Sequence, residues 1–486
     1  MKANSAMGVI PLKYILFFLI GFAIISCIIC LCGLDFGGLI FNDRWLAWLS
    51  AVAVFISVIW FGSTNHPHRL VVAAFIIANT VMLTVLLTFN TLPVSDYWHV
   101  YDTAKLMAEG NLDINALPEN HYLNLNTWQI GVSWFVSLIF RIIGPSFTAL
   151  KILNLILINL TLYTLYRIAK STAGERGASA ITLFAGCFYP VLVTVGQFSN
   201  QNLEALLLLC FIALLNNKKF FWAGLLLPVI SFIRAVGIVC LIAFVVYRLF
   251  LWLNKQIDLK TTLRNLAAFL IPFLILTAAI DYACVRAGYA REAVSRTPYP
   301  YYKFYVGLDY KGDYLLQSNE QLIEWKGTVA EYNQLQKEAL VKAYTQDIGS
   351  TLANNTIKSV MFLGYLDWKF TNVYNHTFPV IPNKVVSLCV AVGWGEYLIL
   401  LLLCFAGIAS YCRRQGIDYL QILLIGMIGV HFFVEAWPDY RYDIYFLMLI
   451  LASDGVNVIV NRCRAYGGIR GHSLINAFKH LPKLGK

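Results

Sequence analysis

The chain has 486 residues; 59% are hydrophobic, only 13% are charged, and 37 Lys and Arg face 26 Asp and Glu for a net charge of +11. That balance excludes a string of ordinary soluble domains, and apolar runs of membrane-spanning length recur along the chain, so it reads as an all-α polytopic membrane protein. The positive charge does not point to nucleic acid, because much of it lies in short loops and the tail, where Lys and Arg orient spans in a bilayer.

Hydropathy predicts spans at about 15–33, 45–62, 70–90, 148–167, 178–196, 201–216, 219–233, 235–253, 264–283, 386–411, 417–434 and 440–459, a bundle of about 12–13 transmembrane helices. The first run, Ile15 to Cys32, is longer than a signal-peptide core and has no small-residue cleavage site, so a retained helix is expected. The eleven cysteines lie mostly inside these runs (Cys27, Cys30, Cys32, Cys187, Cys210, Cys240, Cys389, Cys404), with no zinc spacing and no disulfide framework. They read as small apolar packing residues.

The basic short loops set the orientation: Arg167 to Arg176, Lys218-Lys219, Lys255 to Arg264, and Arg413-Arg414 go to the cytoplasmic side, with the tail from Arg462 to Lys486. Parity then conflicts in the N-terminal half, since 128–143 and 148–167 cannot both cross. Trp128, Ser133, Trp134 and Arg141 give 128–143 an interfacial composition, so it is assigned as a re-entrant or surface-lying helix of the outer side. The resulting divisions are 1–69 (N-terminal spans), 70–283 with a first outer loop at 91–127, a second outer loop at 284–385, 386–460 (C-terminal spans) and the basic tail 461–486. The second loop is rich in aromatics (Tyr299, Tyr301, Tyr302, Phe304, Tyr305, Tyr310, Tyr314, Trp325, Tyr332) and too long to be a mere connection. Its 320–360 part has helical spacing at Leu335, Leu340, Val341, Ile348 and Leu352 and is expected to lie over the membrane surface.

The first loop is acidic and opens with Asp96-Tyr97-Trp98-His99, at the edge of the third span. A carboxylate in that position either caps the helix that follows or serves as a general base at the interface. Glu204 opens a span after Gln197 to Asn202, and Arg234 sits between two apolar runs; charges there contact substrate, or else an ion partner or a helix N-terminus. Arg441-Tyr442 opens the last span, where a guanidinium suits a phosphate or snorkels to lipid head groups. Glu435, Asp439 and Asp443 around it suggest a charge network. His99 and His121 offer hydrogen bonds or metal ligation, though scattered histidines are more often neither. Walker-type loops, a Ser/His/Asp arrangement and a nucleotide-binding domain are absent from the sequence, which argues against ATP- or nucleotide-sugar-driven chemistry.

Taken in order, Asp96, Tyr97, Tyr101, Ala104, Leu106 and Gly110, then Tyr122, Trp128, Gly131 and Gly144-Pro145-Ser146, then Ser199 to Leu209, Phe232 to Gly237 and Glu435 to Leu449 resemble the GT-C glycosyltransferases. Within that superfamily the pattern is most similar to the protein O-mannosyltransferase and lipid A aminoarabinose transferase group, over roughly 70–460, although Ala235 stands where a proline is common and the soluble C-terminal domain of some relatives is missing. The resemblance implies a GT-C-like bundle whose two long extracytoplasmic loops carry surface-lying helices. It also implies an inverting hexosyl- or pentosyltransferase that moves a sugar from a polyprenyl-phosphate-linked donor to a glycan, lipid or protein acceptor of the cell envelope. That reading places the active site on the extracytoplasmic side of a bacterial plasma membrane, with membrane lipids and no nucleic acid as partners. Asp96 would be the catalytic base; Arg441, Arg234 and Tyr442 would bind the donor's lipid phosphate. Tyr97, His99, Glu204, Glu435, His121 and Lys303 complete the candidate pocket. The resemblance fixes no cofactor and leaves a divalent metal open. The alternatives are a lipid-linked-sugar flippase or transporter, and an envelope polysaccharide polymerase or ligase.

Overall fold

A computed structural model describes residues 9–32, 44–88, 92–93, 96–117, 122–196, 198–308, 327–364, 383–414 and 418–467. All regular structure among them is helical. His121 and Glu119, Tyr310, Tyr314, Trp325, Lys2 and the tail beyond 467 lie outside the described residues.

The long helices are α1 Val9–Cys32, α2 Arg44–Gly62, α3 Pro67–Thr88, α4 Asp96–Glu109, α5 Ile130–Ile143, α6 Phe147–Cys187, α7 Gln201–Asn216, α8 Phe220–Ile233, α9 Gly237–Leu253, α10 Leu259–Arg286, α11 Val329–Thr345, α12 Ile348–Gly364, α13 Asn383–Arg414, α14 Tyr419–Phe433 and α15 Tyr442–Gly467. Seven of the described helices are long and apolar enough to cross a membrane, and shorter apolar helices accompany them, making this an all-α polytopic membrane protein.

Helix α6 counts as two passes. Its 41 residues would run about 60 Å as one rod, twice the hydrocarbon thickness. Gly174 breaks it at φ 76° and ψ 177°, a left-handed conformation that glycine adopts without a Cβ penalty. The two halves return along the same neighbour: Asn159 and Asn79 exchange side-chain amide bonds of 2.9 Å, while Gly186 lies against the Ala74 backbone. The spans expected at 148–167 and 178–196 are therefore present as a hairpin.

Helices α13 and α15 cross at the bundle centre through glycines. A Cβ at Gly407 would stand 1.9 Å from Leu451 O, and one at Gly455 1.9 Å from Leu403 O. In a bilayer, where lipid tails are as apolar as leucine, such small-residue crossings let backbones make the close contacts that hold helices together. The flanks fill with Tyr397, Leu401, Cys404, Tyr445, Met448 and Ala452, all buried.

The bundle has two chemically different ends. At one, Arg464 donates to Ser63 O and Asn457 to Ala173 O; the basic turns at Lys170, Lys218-Lys219 and Lys255 lie at this end. The other end carries α4, α5, the 284–308 segment and the 434–441 segment. Helix α5 stays at this end. Its Val132, Val136 and Phe140 pack on Val100 and Ala104 of α4, on Leu150 at the start of α6 and on Phe198, and Gly131 meets the carbonyl of Phe232 at the end of α8. Helix α4 is amphipathic, burying Val100, Thr103, Ala104 and Met107 on one face. Arg141 of α5 donates 3.0 Å to Met107 O, a cation placed at the C-terminal end of α4. The helical region expected over 320–360 is two helices, α11 and α12. The second ends against α1, where Gly364 meets Ser26 O, and it is held by Trp394 Nε1 and Tyr397 OH donating to Gly364 O and Leu363 O.

Candidate functional site

At the α4–α5 end, two buried carboxyl groups and a largely buried arginine from three helices converge. Arg234 closes α8 in an extended conformation (φ −158°, ψ 142°). The turn is tight enough for Val236 N to bond Arg234 O at 2.8 Å, and α9 restarts at Gly237, where a Cβ would fall 1.8 Å from Ser231 Oγ. A side chain there would have to displace the Ser231 hydroxyl. The guanidinium Nη1 stands 3.3 Å from Glu204 Oε2, in the first turn of α7, and 3.6 Å from Asp443 Oδ2, in the first turn of α15. Glu204 and Asp443 are 0% and 1% exposed, and Tyr440 lays its ring 5.7 Å from the guanidinium carbon. Burial disfavours the arginine's charge, but the carboxylates of Asp443 and Glu204 outweigh that and hold it above its usual range.

A hydrogen-bonded path leads from this triad to the helix of Asp96. Tyr97 OH donates to Asn200 Oδ1 at 3.3 Å, Asn200 Nδ2 donates to Ile233 O at 3.0 Å, and the next residue is Arg234. The Tyr97 ring also packs edge-on against Phe198 at 5.8 Å. Asp96 is the first residue of α4 and is exposed, as is His99 one turn later. An exposed carboxylate thus directly precedes Tyr97, whose hydroxyl reaches toward the buried ion cluster.

A second cluster adjoins the first through the 434–441 segment. Lys303, in the short Tyr302–Val306 helix, pairs with Glu435 Oε2. Trp437 Nε1 donates 2.8 Å to Glu435 Oε1. The Lys303 ammonium also lies 5.5 Å from the Trp128 ring centroid, a cation–π contact that ties the segment after the first loop to the second. Behind it Lys358 of α12, 3% exposed, donates to Gly307 O and Val434 O. Burial pushes this ammonium down to about 8.

Arg441 differs from the rim position that the sequence led one to expect. Arg441 is not at the rim but wholly buried: Nε and Nη1 donate to Pro438 O and Leu363 O, and the Tyr397 and Tyr445 rings flank the guanidinium at 4.5 and 5.7 Å. Tyr442 OH donates 2.5 Å to Asn202 Oδ1. Snorkelling is ruled out for this arginine because its guanidinium is fully buried inside the bundle. Nor do Glu435 and Asp443 pair with it; they go to Lys303 and Arg234. The structure therefore joins Tyr97, Glu204 and Arg234 in one cluster and Lys303 and Glu435 in another, and sets Arg441 apart. It adds Asp443, Asn200, Tyr440 and Trp128, which the sequence reading had not placed in the site. Of these only Asp443, a carboxylate at the start of a span, carried a signal that could have singled it out. Among the described residues no three His, Cys, Asp or Glu side chains gather as metal ligands.

Compared with known protein families and with the curated proteins, the chain matches none.

Proposed function

We propose that this protein is a membrane glycosyltransferase that moves a sugar from a polyprenyl-phosphate-linked donor to a cell-envelope glycan, lipid or protein, at the extracytoplasmic face of a bacterial plasma membrane. The observation that carries the reading is the link Tyr97–Asn200–Ile233, which sets the Asp96 helix against the Arg234 turn. A base for an acceptor hydroxyl and a cation for a leaving phosphate are the two groups such a transfer requires. Asp96 takes the proton of the acceptor hydroxyl, whose oxygen bonds to the anomeric carbon as the bond from that carbon to the phosphate oxygen breaks; attack from the opposite face inverts the centre. Polyprenyl phosphate leaves with the bonding pair, and its growing charge is met by Arg234 and by Lys303, the 44%-exposed ammonium of the second cluster. Binding that strengthens as the charge grows lowers the barrier. Arg441 contributes through the position of the 434–441 segment.

The test is transfer from purified polyprenyl-phosphate sugars to an acceptor extract in nanodiscs. Asp96→Asn should lower release of polyprenyl phosphate by about 10²–10⁴-fold, the usual contribution of a positioned base, with expression intact. Transfer at the wild-type rate by that variant overturns the assignment. A carrier of lipid-linked sugars is the second reading. It is favoured by the buried Arg234–Glu204–Asp443 cluster, because ionisable groups held inside a helical bundle also mark substrate and ion pathways. Movement of the lipid phosphate across a bilayer without turnover would select it.

A further inference from the structure

With both carboxyl groups ionised the triad does not balance. Glu204 and Asp443 would bring two negative charges to one guanidinium, with both carboxyl groups shut off from water (0% and 1% exposed) and the arginine 16% exposed. The surplus falls on identifiable atoms. Glu204 Oε2 accepts from Arg234, whereas Glu204 Oε1 and both oxygens of Asp443 are buried with no hydrogen-bond partner. The two carboxyl groups also interact directly with each other. Two ionised carboxylates cannot bond, since each offers only acceptors, and a buried acceptor without a donor is costly. The N-termini of α7 and α15 point their dipoles at the pair and offset part of the charge, but supply no donor to Asp443. A divalent cation would have to sit beside the guanidinium, which repels it. A proton matches both the charge and the space.

We propose that Glu204 is protonated on Oε1 and donates to the Asp443 carboxylate, which with Arg234 forms a neutral, proton-binding triad inside the bundle. One added hydrogen then satisfies Glu204 Oε1 and one Asp443 oxygen, and leaves Arg234 paired with a single anion. The other titratable groups facing the triad are Tyr97 of α4, Cys240 of α9, His431 of α14, and Tyr440 and Tyr442 before and at the start of α15. None of them supplies a second fixed positive charge. The site is independent of whether the protein transfers a sugar or carries a solute, so it stands or falls apart from the transfer reaction.

Infrared difference spectra of the full-length protein at neutral pH test the proton directly. Subtracting either E204Q or D443N from wild type should show the C=O stretch of one protonated carboxyl, shifted in heavy water; difference spectra holding only carboxylate bands overturn the proposal. Thermal unfolding supplies a second readout. A glutamine amide reproduces the charge of the protonated glutamate and can donate to Asp443, so E204Q should melt within a few degrees of wild type. The double variant E204Q/D443N strands the arginine charge and should melt well below either single. An E204Q protein that fails to fold, or a double variant as stable as the singles, refutes the neutral triad.

Discussion

Gly131 is the point at which the Asp96 unit is registered on the bundle, and replacing it with alanine tests whether that register matters. In the first turn of α5, its added Cβ would lie 1.7 Å from Phe232 O and 2.4 Å from Phe232 C. Real Cβ atoms essentially never come closer than 3.0 Å, so the helix must lift by more than an ångström from the residues just before Arg234. The obstacle is backbone, not a flexible side-chain tip, so no rotamer change relieves it. Helices α5 and α4 move together, because Val132, Val136 and Phe140 interlock with Val100 and Ala104; Tyr97, 3.3 Å from Asn200, is carried away and Asp96 with it. Overpacking of this kind costs about 1–3 kcal/mol. The larger effect is on geometry: misplacing a catalytic group by about 1 Å can cost on the order of 10²-fold in rate. Gly131→Ala should therefore lower the transfer rate by about that factor while its melting temperature falls by only a few degrees. The assay is release of polyprenyl phosphate at saturating donor, with melting followed by intrinsic fluorescence. A variant with the wild-type rate would show that the α5–Phe232 contact does not position the chemistry, and would remove the argument that links Asp96 to Arg234.

The central crossing should behave in the opposite way. Gly407→Ala or Gly455→Ala, each placing a Cβ 1.9 Å from a carbonyl of the facing helix, should destabilise the bundle by about 1–3 kcal/mol or more through overpacking, read as a lower melting temperature, with catalysis in the surviving folded fraction unchanged. Lys358 gives a pH signature. Its ammonium is lowered from 10.5 to about 8 by burial, so between those values the unfolded chain binds a proton that the folded one does not, and stability rises with pH across that window. Below about 8 the group is protonated in both states and contributes no slope. Melting temperature against pH should show this rise in wild type and lack it in Lys358→Met; parallel curves would place the ammonium in water.

Hydropathy alone determined the class of this protein and where nearly all of its long apolar helices lie, because a helix facing lipid must be apolar along its length and that requirement is written residue by residue. The span expected at 201–216 is α7 to the residue, and the boundary at Gly174 sits where a charged loop had already divided two apolar runs. The composition of 128–143, with Trp128, Trp134 and Arg141, suits an interface, and the structure packs α5 against α4 at one end of the bundle. Pairing was a different matter. Glu204, Arg234 and Asp443 belong to three separate helices, and their meeting depends on how α7, α8 and α15 pack, which no local pattern encodes. Arg441 lies two residues before Asp443, yet one turns into the aromatic interior and the other toward Arg234. Sequence showed that charges gather at the start of the last span; only the tertiary structure decided which of them face one another, because a buried charge takes whichever partner the packing brings within a few ångströms.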